Sequence, residues 1–366
     1  MPFDVRDFPD APPEERATTR ANRRLVAAWL FTICAMILVM IGLGGATRLT
    51  GSGLSIMEWA PLSGTLPPMS DAEWHRLFGL YQQIPQYTLL NDHIGLAGFK
   101  HIFWLEWVHR LWGRMIGVAF FVPLVWFWAT GRIERRLRPR LAVIFLLGGL
   151  QGAVGWFMVA SGFFPDSTRV APYRLVVHLV LALALYAAIL WTGLSVLRPL
   201  AHRGASSRPA RALVRASCVL VGLTIVAGGF VAGTHAGFDY NTFPLMDGRL
   251  IPEGYARLSP VLLNFFENIA AVQFDHRLLA TLTGLVTLSA VAIGLLSGPR
   301  PGVRRVLLVL GAVVAVQYTL GVATLLAVVP VDLAVAHQMT AVLLLTVALC
   351  ALHALREAPP LPPAPP

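Results

Sequence analysis

Charge is what this sequence has least of. Only 13% of its 366 residues are Asp, Glu, Lys or Arg, against 56% hydrophobic, and the mean hydropathy is +0.66. That balance excludes an ordinary water-soluble domain. Cysteine is scarce too. Cys34, Cys218 and Cys350 all lie inside apolar runs, which excludes a disulfide framework between the runs and reads all three as small buried hydrophobes. The leading MPFDVRDFPDAPPEERATTRANRR has no apolar core, so it is not a cleavable signal peptide, and the first apolar run is expected to remain as an anchor. The closing APPLPPAPP cannot make a helix and reads as a polyproline or disordered tail.

What is present is eight apolar runs, at about 25–46, 110–129, 141–161, 172–197, 212–234, 275–297, 303–329 and 333–355. A hydrocarbon core of about 30 Å takes roughly 20 helical residues to cross. The fold class is therefore an all-α integral membrane protein with eight transmembrane helices.

A net charge of +10 could suggest nucleic acid as a partner, but the arginines collect in short segments on one side. Arg6, Arg16, Arg20, Arg23 and Arg24 precede the first span, and Arg132, Arg135, Arg136, Arg138 and Arg140 separate the second from the third. Arg198, Arg203, Arg208, Arg211 and Arg215 join the fourth to the fifth, and Arg300, Arg304 and Arg305 join the sixth to the seventh. The positive-inside rule places these segments and both termini in the cytoplasm, against membrane lipid, and leaves no role for nucleic acid. The long loops, about 47–109 and 235–274, then face outward.

The chain is written twice. GGATRLTGSG at 44–53 aligns with GGFVAGTHAG at 228–237 at an offset of 184, which Cys34 and Cys218 also obey. EWVHRLWGRMIG aligns with QFDHRLLATLTG at offset 167, QGAVG at 151–155 with QYTLG at 317–321 at offset 166, and His178 with His337 at offset 159. Four anchors in one order make two tandem four-helix bundles of like orientation, related by an axis along the membrane normal. The boundaries are a cytoplasmic polar tail 1–24, an N-terminal half 25–200, a C-terminal half 201–355 and a Pro-rich tail 356–366. Small residues on spans 1, 3, 5 and 7 leave room for close helix approach or for a flat ligand.

Each half carries two histidines near the outer end of an even-numbered span: His109 and His178, then His276 and His337. Facing imidazoles inside a four-helix bundle make an axial cage for haem iron. A single histidine at a helix end is usually an interfacial residue, but four at repeat-equivalent positions are hard to explain so. His75, His93, His101, His202, His235 and His353 lack such pairing. Arg110 and Arg277 each follow a histidine and could grip haem propionates through the guanidinium fork or merely snorkel. Gln151 and Gln317 are candidates for hydrogen bonds inside the bundles.

In FWLEWVHRLWGRMIG, at 103–117, Glu106, His109, Arg110 and Arg114 stand at the doorway of a span. Glu106 shares a helix face with His109, whereas its repeat partner is Gln273. A carboxylate beside one cage alone points to proton-transfer chemistry there and simple cofactor holding in the other. The plain alternative is a solvated residue at the mouth of the span.

GLGGATRLTGSGLS at 42–55, FKHIFWLEWVHRLWGR at 99–114 and the histidines of FDHR and AHQM resemble the haem A synthase family, over about residues 25–355. Membership implies oxidation of the C8 methyl of haem O to a formyl group, giving haem A, through two successive hydroxylations with loss of water. By position, the resemblance makes His276 and His337 the axial ligands of a resident haem b, His109 and His178 the residues facing the substrate haem, and Glu106 the catalytic carboxylate. It also implies a multi-pass protein of the bacterial inner membrane, with haem O synthase and cytochrome oxidase assembly factors as partners, and it is compatible with a homo-oligomer. Some members carry cysteine pairs in the outer loops, and this chain resembles the branch without them. Three rivals stand beside it: a di-haem electron-transfer cytochrome b, a di-iron bundle, which needs more carboxylates than these spans hold, and a transporter of parallel repeats.

Overall fold

Proline and polar caps set where the helices begin. Pro occupies a first-turn position of α4 (Arg138–Ala160), α5 (Pro172–Leu197), α6 (Arg208–Thr234) and α9 (Pro301–Leu326), where its missing N–H costs nothing. The Asn268 side chain accepts from the Ala270 and Ala271 N–H groups to open α8 (Ile269–Leu296), and Ser70 accepts from the Glu73 N–H to open α2 (Asp71–Tyr81). The remaining helices are α1 (Pro13–Leu49), α3 (Leu96–Ala129), α7 (Asn264–Glu267) and α10 (Val331–Ala354). The structure, a computed structural model, describes residues 13–198 and 207–356, with side chains from Thr18. The first part of the polar tail and nearly all of the Pro-rich tail lie outside the described residues.

All helices but α2 and α7 are long and apolar enough to cross a membrane, eight in number, and no strand occurs among the described residues. Seven of the eight expected spans match to within a few residues at most ends; α1 reaches back to Pro13. The exception is α3, which starts at Leu96 rather than 110. Hydropathy broke off at Glu106, His109 and Arg110, but the helix continues through them because the charges of Glu106 and Arg110 find partners inside the protein. At 34 residues, α3 is about 51 Å long and overshoots the membrane core. Its early turns are capped by α2: Phe99 and Phe103 are buried with Trp74, Leu77 and Tyr81, and the Trp74 and Phe103 rings meet edge to face at 4.9 Å. His109 consequently lies nearly four turns into α3, where the sequence placed it in the first turn or two of a span.

α1, α3, α4 and α5 neighbour one another in turn, as do α6, α8, α9 and α10; α3 and α4 touch least. Between the two sets run α1 against α10 and α5 against α6. Both close approaches occur at a glycine. A Cβ on Gly45 would lie 2.9 Å from the Gln338 side chain, and one on Gly229 would lie 3.1 Å from Leu179 and 3.2 Å from Val176. Gln338 Nε2 donates to the Ile41 carbonyl at 2.9 Å, and the Tyr186 and Thr346 hydroxyls meet at 2.6 Å.

The loop between α6 and α8 is pinned by Asn264. Only 2% exposed, its amide accepts from the Leu258 N–H and donates to the Leu258 and Val261 carbonyls. Asn264→Ala orphans those backbone groups, at a cost of about 2–4 kcal/mol. Limited proteolysis is expected to cut the 235–268 loop markedly faster in this variant while the spans stay intact. Unchanged cleavage would count against the pin.

Candidate functional site

Each of the four paired histidines lies against a glycine of a neighbouring helix. A Cβ built on Gly155 would stand 2.8 Å from His178 Cε1, on Gly228 3.0 Å from His276 Cε1, on Gly321 2.8 Å from His337 Cε1, and on Gly44 3.2 Å from His109 Nε2. These glycines belong to the repeat anchors GGATRLTGSG, QGAVG, GGFVAGTHAG and QYTLG. Sequence alone read them as sites of helix or ligand approach; in the structure the imidazoles take the space. His109 faces its glycine with the Nε2–Cδ2 edge, and the other three do so with Cε1 foremost.

The structure brings His109 and His178 within electrostatic reach of one another, and likewise His276 and His337. His276 Nδ1 is 3.2 Å from the Thr224 carbonyl, one turn before Gly228, a contact that fixes the tautomer and leaves Nε2 as the free ligand atom. Gln151 Nε2 reaches the His178 carbonyl at 3.0 Å and its Nδ1 at 3.2 Å. Gln151 Oε1 beside His178, and His337 Nδ1 and Gln317 Oε1 in the other set of helices, are buried without a hydrogen-bond partner.

All four histidines line one cavity of about 1680 Å³, larger than the roughly 300–1,000 Å³ of a small-molecule pocket. The donor set fits a flat iron macrocycle: paired imidazoles, each seated on a glycine, and polar atoms left unsatisfied beside the rings. Among the described residues no three His, Cys, Asp or Glu side chains converge on a common point, so a carboxylate-bridged di-iron centre has no ligands here.

Glu106 is 2% exposed and forms a staple. One oxygen accepts from Arg110 Nε at 3.0 Å and Nη2 at 2.6 Å. The other accepts from Ser55 Oγ at 2.7 Å and the Ile56 N–H at 2.9 Å. Its four lone-pair directions are thus all in use. Arg110 adds bonds to the Ile56 and Glu58 carbonyls, and Arg114, a turn further along α3, donates to the Pro61 and Ala60 carbonyls. In the other half Gln273 and Arg277 repeat the device: Gln273 Nε2 donates to the Ala236 and Asp239 carbonyls, its Oε1 accepts from Arg277 Nη2 at 2.7 Å, and Arg277 continues to Tyr240 and Thr242. The Glu/Gln asymmetry matches the polarity of the two loops. The first offers an N–H and a hydroxyl, which a carboxylate accepts; the second offers carbonyls, to which only an amide can donate. These staples engage most donors of Arg110 and Arg277, leaving an Nη1 hydrogen on each and the buried Nε of Arg277.

Outside the spans, Arg76 holds the Glu58 and Glu73 carboxyls below the usual carboxylate range, bracing the first loop onto α2. Burial, then the hydrogen bond to Asp275, pushes the Tyr255 phenol up to about 12. The sequence reading passed over Arg48, which lines the cavity from within α1 and donates to the Ala232 carbonyl at 3.0 Å. Little in the sequence signals it, because Arg48 falls just past the end of the first apolar run, where an arginine ordinarily snorkels to the interface.

A profile of the family described as Cytochrome oxidase assembly protein, COX15-CtaA, matches residues 27–349. A protein of Granulibacter bethesdensis named heme A synthase is 64% identical over 92% of this chain and 89% of its own length. Heme A synthase 2 of Acidiphilium cryptum is 49% identical over 94% of this chain and 95% of its own. Heme A synthase of Nitrosospira multiformis is 47% identical over 94% and 97%.

The glycine cradles are testable without reference to turnover. Gly155→Ala and Gly321→Ala each push a methyl to 2.8 Å from a histidine ring, closer than such contacts tolerate. Each variant is expected to lose most of the pigment held by the adjacent histidine pair, read as visible absorbance per protein, with helix content unchanged. Full pigment in both would remove the cradles from the site.

Proposed function

The chain belongs to the cytochrome oxidase assembly protein family, and on that footing we propose that it acts as a haem A synthase. This is an oxidoreductase of haem A biosynthesis, converting haem O to haem A by taking the C8 methyl to a formyl group through two successive hydroxylations and loss of water. The observation that carries the reading is the inequality of two otherwise matching histidine pairs around one cavity. Both have glycine cradles, and only the first has a carboxylate, Glu106, on the cavity wall.

His109 and His178 receive the substrate haem in the first half, and His276 and His337 hold a haem b in the second. Bound there, haem b supplies one-electron redox capacity. The Thr224 carbonyl keeps His276 presenting Nε2, and Gln151 ties α4 to α5 at the His178 carbonyl. The apolar walls of the cavity exclude water, so charges inside act at close to full strength. Glu106 contributes negative charge beside the reacting ring. With every lone pair engaged, it has to release Ser55 or Arg110 before it can take a proton, so its role at rest is electrostatic. Arg110 and Arg277 reach a propionate only through the N–H groups their staples leave over.

At the scale of the whole molecule, we read the two sets of four helices as tandem parallel repeats. Both termini and the arginine-rich segments face the cytoplasm of a bacterium whose inner membrane the protein spans. Haem O synthase supplies the substrate and the oxidase assembly machinery receives the product.

Extraction of pigment from the detergent-purified protein, with mass analysis of each haem, tests this. Wild type is expected to yield haem B together with haem O, haem A or a hydroxylated intermediate. Glu106→Gln is expected to retain haem O and lose haem A, with conversion down by about 10²-fold or more. Haem B alone in both would turn the reading to a di-haem electron-transfer cytochrome. His276→Ala separates the halves: it is expected to remove haem B while haem O still binds.

A further inference from the structure

Among the described residues, five arginines line the cavity and Glu106 is the only carboxylate on its wall. Arg110, Arg114 and Arg277 are engaged by the loop carbonyls and by Glu106 or Gln273. That leaves Arg48 and Arg169. Arg48 makes one hydrogen bond, to Ala232, and the Arg169 guanidinium makes none among the described residues. Arg48 stands one turn beyond Gly44 on α1, about 6 Å closer to the loop end than the contact with His109. Arg169 comes from the segment between α4 and α5, whose neighbour Val170 also lines the cavity.

The third member is His235, the C-cap of α6, from the other half of the chain. It lines the same cavity and adopts a left-handed backbone with φ 59°. The repeat-equivalent position in the first half is Gly51, with φ 68°. Glycine takes that conformation freely, so a histidine there carries a local cost. Burial, and after it the positive charges of Arg169 and Arg48, push the His235 imidazole down to about 4. At neutral pH it is an uncharged ring with one N–H to donate.

We propose that Arg48, Arg169 and His235 form a carboxylate-binding subsite at the loop end of the cavity, on the seam between the two halves, which takes a propionate of the tetrapyrrole held by His109 and His178. The assignment rests on the synthase reading above and adds to it where the ring's acidic edge is anchored. Two guanidiniums and a neutral N–H give a carboxylate charge-assisted hydrogen bonds in an apolar enclosure, where they count most. Among the described residues lining the cavity, no carboxylate is left over to supply the matching anion. The repeat reinforces the assignment, because the equivalent of Arg48 in the second half is Ala232: the cationic group is built once, toward the first half.

The test compares haem O with its dimethyl ester, which has the same ring and no free carboxylate, titrated into the purified full chain. Wild type is expected to bind the diacid about tenfold or more tightly than the ester. Arg48→Gln and Arg169→Gln are each expected to shrink that preference several-fold, the double variant to bring it close to unity, and Arg48→Lys to restore part of it. His235→Gly relieves the backbone while removing the donor, so thermal stability should hold or rise as the preference falls, which a purely structural role would not produce. If the variants discriminate acid from ester as wild type does, the propionate is held elsewhere and the subsite is wrong. If wild type binds neither form, the synthase reading itself falls.

Discussion

Two glycine pairs, Gly44–Gly45 and Gly228–Gly229, set the distances on which the rest of the structure depends. In each pair the first glycine admits a histidine of its own half and the second admits a helix of the other half. The residues admitted at the second glycine, Gln338 and Leu179, directly follow His337 and His178 in the chain. The spacing of the two halves and the seating of the imidazoles are therefore one packing problem. A membrane interior supplies no hydrophobic drive for helix association, so close backbone approach of this kind does much of the work.

The second constraint is that polar groups at membrane depth must be satisfied from within. The Glu106–Arg110 and Gln273–Arg277 pairs do this by drawing the loop after α1 and the loop after α6 down onto α3 and α8. A roof is thereby attached to the same helices that carry His109 and His276. The carboxylate in one staple and the amide in the other follow from what each loop offers. The same substitution leaves one half of the cavity with a negative charge and the other without.

Much of this was legible in the sequence. The eight spans are written in local pattern, because apolar runs are properties of the chain alone, and the sequence offsets also picked out the glycines and histidines that the structure sets against one another. The start of α3 was not, because a hydropathy scale cannot know that Glu106 and Arg110 satisfy each other and the loop. The partners of Glu106 were equally hidden: Ser55 and Ile56 lie some fifty residues away, and only folding joins them. Arg48 and His235 illustrate a third limit. Neither is unusual by itself, and their meaning appears only when α1 and the end of α6 meet at the seam.

The hydrogen bond from Gln338 to Ile41 joins residues 297 positions apart. Nearly the whole polypeptide must leave the ribosome and enter the bilayer before that contact exists. Gly44 and His109 can find each other early in synthesis, but His337 arrives on the last helix, next to the residue that locks α10 to α1. The nascent chain thus holds an unfinished pocket until α10 has entered the bilayer beside α1, and the second histidine pair is incomplete before then.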